Sequence, residues 1–161
     1  QTQVKGNEAL HRLAAAVLLT FPGVPSIYYG DELGLSDQAE LGSRGCMVWE
    51  ERRWNHGLLD FYRSLISLRR RSTALQQGSF QILAVEPDSF AFQRTATTER
   101  VLVVAHRGQQ PRPAGPLPVA HGGIPDGVCF TELWSGTEAV TADGALPLPE
   151  QPQGATVWRG R

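Results

Sequence analysis

The chain reads as an α+β protein in which a helical first half gives way to an all-β second half. Two observations predict this. Apolar residues recur at three- and four-residue spacing up to about residue 71, and after Gly78 the spacing changes to every second residue. Composition agrees with a globular fold. Of 161 residues 41% are hydrophobic and 19% charged, and 15 Lys+Arg against 16 Asp+Glu leave a net charge of −1. A nucleic-acid partner is not expected, because phosphate neutralisation needs a surplus of clustered cations. A membrane partner is not expected either, since the longest apolar run, residues 13–21, is half of what a spanning helix needs.

Each element can be justified in order. Over 7–20, Leu10, Leu13, Ala14, Val17 and Leu18 share one helical face, which predicts a core-facing stripe. Asn7 is placed to cap the helix, and Pro22-Gly23 ends it. Residues 25–29 form a β-prone run closed by Gly30, with Tyr28 and Tyr29 expected on opposite faces. No period is sustained from 31 to 53, a loop long enough to be functional. A second helix spans 57–71 with Asn55 as its cap. It ends in Arg69-Arg70-Arg71, which reads as a solvated helix terminus favoured by the dipole. Strands follow at 79–85, 89–95 and 100–106. Half of the residues from 108 to 127 are Gly or Pro, which predicts an excursion without a core of its own. Shorter strands are expected at 128–133, 138–141 and 155–158. Together these predict an antiparallel β-sandwich over 78–161.

Two cysteines, Cys46 and Cys129, form neither a CxxC pair nor a disulfide framework. They read as half-buried apolar residues, and their scarcity points to a reducing compartment such as the cytoplasm. His11, His56, His106 and His121 share no metal-ligand spacing, and none adjoins a nucleophile in a triad pattern. Neither a metal nor a cofactor is therefore expected.

The run Pro22-Gly23-Val24-Pro25-Ser26-Ile27-Tyr28-Tyr29-Gly30-Asp31-Glu32 resembles the segment around the eighth barrel strand of α-amylase-superfamily glycoside hydrolases. Glu40, Arg44, Met47 and Trp49 continue the resemblance, with Glu40 where Asp is usual and Cys46 where Pro is usual. The similarity is greatest to the maltodextrin glucosidase, neopullulanase and cyclomaltodextrinase group. It implies that residues 1–77 are the last part of a (β/α)8 barrel (seventh helix, eighth strand, loop and eighth helix) and that 78–161 are the C-terminal β-domain.

The same resemblance implies retaining hydrolysis of α-1,4-glucosidic bonds in maltodextrins. The catalytic carboxylates of that family lie upstream of the matching segment, so no catalytic residue is assigned and the chain alone is expected to be inactive. Its implied partners are a maltooligosaccharide and the remainder of the barrel. Glu40 and Arg44 would contact sugar hydroxyls, since a carboxylate accepts and a guanidinium donates in a fixed fork. Tyr28, Glu32 and Trp49 would support the cleft. Asp31 and Glu32 make a poor catalytic pair, because neighbours on an extended chain point to opposite faces. Two alternatives stay open: a non-catalytic carbohydrate-binding or structural module, and a relative that performs transglycosylation or α-1,6 hydrolysis.

Overall fold

Residues 6–35 and 46–160 are described by the structure, a computed structural model. Helix α1 (Glu8–Thr20) begins at Asn7, whose side chain accepts from the Leu10 amide at 3.1 Å. Helix α2 (His56–Arg71) begins the same way at Asn55, which accepts from Leu58 at 2.9 Å. In both cases a capping oxygen satisfies a first-turn amide that has no helical partner. Helix α2 does not run straight into the β region. Ser72 breaks it and caps a separate short helix, α3 (Thr73–Gln77), accepting from Leu75 at 3.1 Å.

Eight strands follow: β1 (Ser79–Val85), β2 (Ser89–Ala96), β3 (Glu99–His106), β4 (Gly115–Pro118), β5 (Cys129–Glu132), β6 (Glu138–Val140), β7 (Ala145–Leu148) and β8 (Gly154–Gly160). Six form one antiparallel sheet in the order β1-β2-β3-β8-β5-β6, and β4 pairs with β7 in a second sheet. The central strands are apolar on both faces. Phe92, Val103 and Val157 stand in register across β2, β3 and β8, and Leu102 pairs with Trp158 one step along. Odd and even positions therefore feed different cores. Val101, Val103 and Val157 pack with Ala16, Leu19, Leu65 and Leu75 of the helices. Leu102, Val104 and Trp158 pack with Leu117 and Leu146 of the small sheet. The result is three layers: helices, large sheet, small sheet.

Four expectations are corrected. The 108–127 stretch is not a coreless excursion: it contains β4, and Leu117, Val119 and Ile124 are at most 3% exposed. Proline is tolerated in β4 because a two-stranded edge leaves outward amides without ladder duties. Its partner β7, unforeseen from the sequence, also carries a proline, between two leucines. The α1 stripe faces the other way from the expected one. His11, Ala15, Ala16, Leu19 and Thr20 are buried, whereas Leu18 remains 40% exposed. The helix is apolar nearly all round, so periodicity alone could not choose the face. Residues 25–29 carry no strand pairing among the described residues, since a parallel strand needs a neighbouring strand to complete its ladder. Both cysteines are free and exposed; on β5 the alternation turns Phe130 inward and Cys129 outward.

Candidate functional site

The segment between α1 and α2 is where the resemblance placed a sugar-binding cleft. It leaves α1 through Phe21-Pro22-Gly23, with Gly23 at φ 103°, a region closed to residues with a Cβ. Tyr28 and Tyr29 do not diverge as expected. Their rings lie 4.5 Å apart at 32°, so they form one aromatic face, each about half exposed. A chain turning into a 3₁₀ helix loses the strict alternation of a strand. The hydrogen bond with Tyr28 is the main cause that shifts the Tyr29 phenol upward.

The chain then turns sharply. Gly30 takes φ 89°, and the 3₁₀ turn Asp31–Leu33 follows. The Glu32 carboxylate accepts from the Gly30 amide at 3.0 Å, and Leu35 donates its amide to the Gly30 carbonyl at 2.9 Å. A Cβ on Gly30 would come within 2.9 Å of Leu35 Cδ1, so the turn is closed to larger residues. The Asn55 amide donates to the Leu33 carbonyl at 3.0 Å, which fastens the turn to the start of α2. Asp31 and Glu32 thus sit on a 3₁₀ turn, not on extended chain, and successive side chains there diverge by about 120°.

Beneath the turn lies a pair that the sequence reading passed over. His11 Nε2 and the Tyr62 hydroxyl are 3.2 Å apart with their rings edge to face, and His11 Nδ1 is buried with no hydrogen-bond partner. Burial lowers the His11 pKa, the nearby Asp31 and Glu8 carboxylates opposing it in part. Burial also pushes the Tyr62 phenol up to about 12, with Asp31 and Glu32 adding to the shift. Both groups are held neutral near pH 7. The available signal was the place of His11 on the Ala15–Leu19 stripe, four and eight residues along one helical face.

A second buried histidine also has partners that sequence spacing hid. His106 Nδ1 is 2.8 Å from Ser89 Oγ, and His106 Nε2 is 2.7 Å from the Gln110 carbonyl. A carbonyl can only accept, so Nε2 is the donor to Gln110, while the serine hydroxyl can either donate to Nδ1 or accept from it. Ser89 stands opposite His106 in the β2–β3 register, which places the pair in the sheet as a latch for the following loop.

No family model matches the chain. Over 99% of its length it is 35% identical to neopullulanase 2 of Thermoactinomyces vulgaris, of which it covers 27%. Over 68% it is 38% identical to a cyclomaltodextrinase of Thermoanaerobacter pseudethanolicus, covering 19% of that enzyme. A solved cyclomaltodextrinase superposes on 99% of the chain with a TM-score of 0.85 and 28% identity. The chain belongs to the α-amylase family. It matches the C-terminal region of these enzymes and spans about a quarter or less of the length of the curated relatives.

Of the positions that the α-amylase resemblance singled out, Glu40 and Arg44 lie outside the described residues. Tyr28 and Glu32 flank one turn, Tyr28 beside the Tyr29 ring and Glu32 on the Gly30 amide. Trp49 is 78% exposed, and five residues on, Trp54 donates its indole N–H to the Val48 carbonyl at 2.8 Å. Among the described residues no group of three or more His, Cys, Asp or Glu gathers where a metal could sit, and no helix is long and apolar enough to cross a membrane.

Proposed function

We propose that this chain is the C-terminal portion of a glycoside hydrolase that cleaves α-1,4-glucosidic bonds of maltodextrins with retention, through a covalent glycosyl-enzyme intermediate. The observation that carries the reading is the match, along nearly the whole chain, to a neopullulanase in sequence and to a solved cyclomaltodextrinase in structure. Residues 1–77 would form the last part of the catalytic barrel and residues 78–161 its β-domain. Glu40 and Arg44 would hold sugar hydroxyls, the acid accepting and the guanidinium donating. Tyr28, Glu32 and Trp49 would shape the cleft beside them.

The catalytic carboxylates would come from the rest of the protein, and α1 supports that division. Its Leu13, Ala14, Val17 and Leu18 line an open groove of about 480 Å³ together with Phe21, Pro22, Val24, Pro25 and Phe90, with no charged residue among them. A helix apolar on both sides belongs between two layers, and here only one side is covered. The remainder of the barrel is the partner proposed for the other.

The test is product release from maltotriose by this polypeptide alone and after adding the separately expressed upstream segment of its parent. No turnover alone and turnover on mixing is the expected result. Turnover by the chain alone would overturn the assignment of its carboxylates to supporting roles.

A further inference from the structure

Arg69 does not behave as the solvated end of a helix. Arg70 and Arg71 beside it are exposed, but the Arg69 guanidinium turns back over the end of α1. Its Nη1 donates to the carbonyls of Leu19 at 2.8 Å and Phe21 at 3.1 Å, and its Nη2 donates to that of Gly23. A second guanidinium reaches the same helix end from the sheet. Arg94, 2% exposed on β2, donates to Thr20 at 3.0 Å, Gly78 at 3.1 Å and Ser79 at 3.3 Å. Among the described residues neither arginine has a carboxylate partner. Two cations are drawn out of water close enough for Arg69 to disfavour the charge on Arg94, burial being the larger cause in both.

What offsets that cost is the negative end of α1. The last carbonyls of a helix have no internal partner and carry the negative pole of its dipole. Residues 25–28 have no strand ladder among the described residues, and Ile27 packs against the helical core. Among the described residues, the next backbone bond beyond Gly23 in this segment is from the Asp31 amide to the Tyr28 carbonyl, at 3.1 Å. Arg69 grips Phe21 and Gly23 where the chain leaves α1 toward Tyr28, and these backbone bonds act there beside the packing of Phe21 on Phe80 and Phe92.

We infer that Arg69, backed by Arg94, is a positioning residue that aims the Tyr28–Glu32 turn. The geometric claim stands on the hydrogen bonds alone, and only its effect on sugar rests on the proposed function. Lysine keeps the charge but loses the planar fork that reaches three carbonyls at once.

The experiment compares Arg69→Lys and Arg69→Gln with Arg63→Lys, a surface substitution on the same helix. In amide and aromatic NMR spectra of the 161-residue chain, both Arg69 variants should move the resonances of residues 28–35 and leave those of β5 and β8 in place. In the maltotriose assay with the upstream segment added, Arg69→Lys should raise KM about tenfold with kcat within about twofold, as expected of a misplaced binding group. Arg63→Lys should change neither. Unmoved 28–35 resonances, shifts spread through the sheet, or unfolding of both variants would each overturn the inference. Moved resonances in a mixture that shows no turnover even for the wild type would uphold the clamp and sink the proposed function instead.

Discussion

His11 is 5% exposed, with one ring nitrogen bonded to Tyr62 and the other bonded to nothing, so its protonation brings an unmatched charge into the core. Folding lowers its pKa, so below the unfolded value of about 6.5 the unfolded chain binds a proton that the folded chain refuses. Stability is thus complete above that pH and falls as acid approaches the lower folded pKa. Urea midpoints taken from pH 7.5 down to 5 should show this decline in the wild type and a flatter curve in His11→Gln, which keeps a polar group but cannot titrate. An equal slope in the two proteins would assign the decline to other groups. The Ser89–His106 pair shows why such residues escaped the sequence reading. Seventeen positions separate them, and only the β2–β3 register makes them opposite neighbours.

At the scale of elements, caps and periods were legible and faces were not. Asn7 and Asn55 cap the helices that their positions predicted, and the first three strands lie within a residue or so of the alternating runs. The α1 stripe was misread because Leu13 and Leu18 are as apolar as Leu19, and only the packing partner distinguishes them. Strands β4 and β7 were hidden by proline, which signals a loop until a two-stranded pairing accommodates it. The candidate site was legible through a motif, whose tyrosines and glutamate the structure gathers at one turn, while the His11–Tyr62 pair beneath it needed tertiary contact to appear. Helix α3 depends on β3 in a way that can be tested. The buried Glu99 carboxylate accepts from Ser72 Oγ at 2.8 Å, the Ala74 amide at 3.3 Å and Arg159 Nε at 2.7 Å. Burial works to raise its pKa, yet these donors outweigh burial and hold the group below the usual carboxylate range. Its contribution is therefore present above an unfolded pKa of about 4.3 and lost as pH falls through the folded value. Glu99→Gln should cost about 3 kcal/mol at pH 7, read from denaturant unfolding, because it leaves Arg159 half-buried and a capping donor unmatched. A loss under about 1 kcal/mol would show that the carboxylate is replaceable at this joint.

At the scale of the whole molecule, an apolar groove on one layer controls behaviour in solution. Leu18 and Val24 are 40% and 97% exposed on its rim, beside a lining with no charged residue. The chain alone should self-associate at high concentration, and Leu18→Lys with Val24→Lys should reduce that association in sedimentation velocity while changing stability by about 0.5 kcal/mol or less. Association unchanged by both substitutions would place the contact elsewhere.

Strand order carries a further consequence for how the protein is made. The last strand along the described residues, β8, is not at an edge of the large sheet but between β3 and β5. A ribosome that has delivered everything up to residue 153 has produced a three-stranded meander and a separate hairpin, with no ladder to join them. The Val103–Val157 and Leu102–Trp158 contacts come into being only when the final strand slides into the gap. Closure of this sheet therefore waits on residues 154–160, and a premature stop or a protease cut within them would leave two half-sheets rather than a slightly shortened protein.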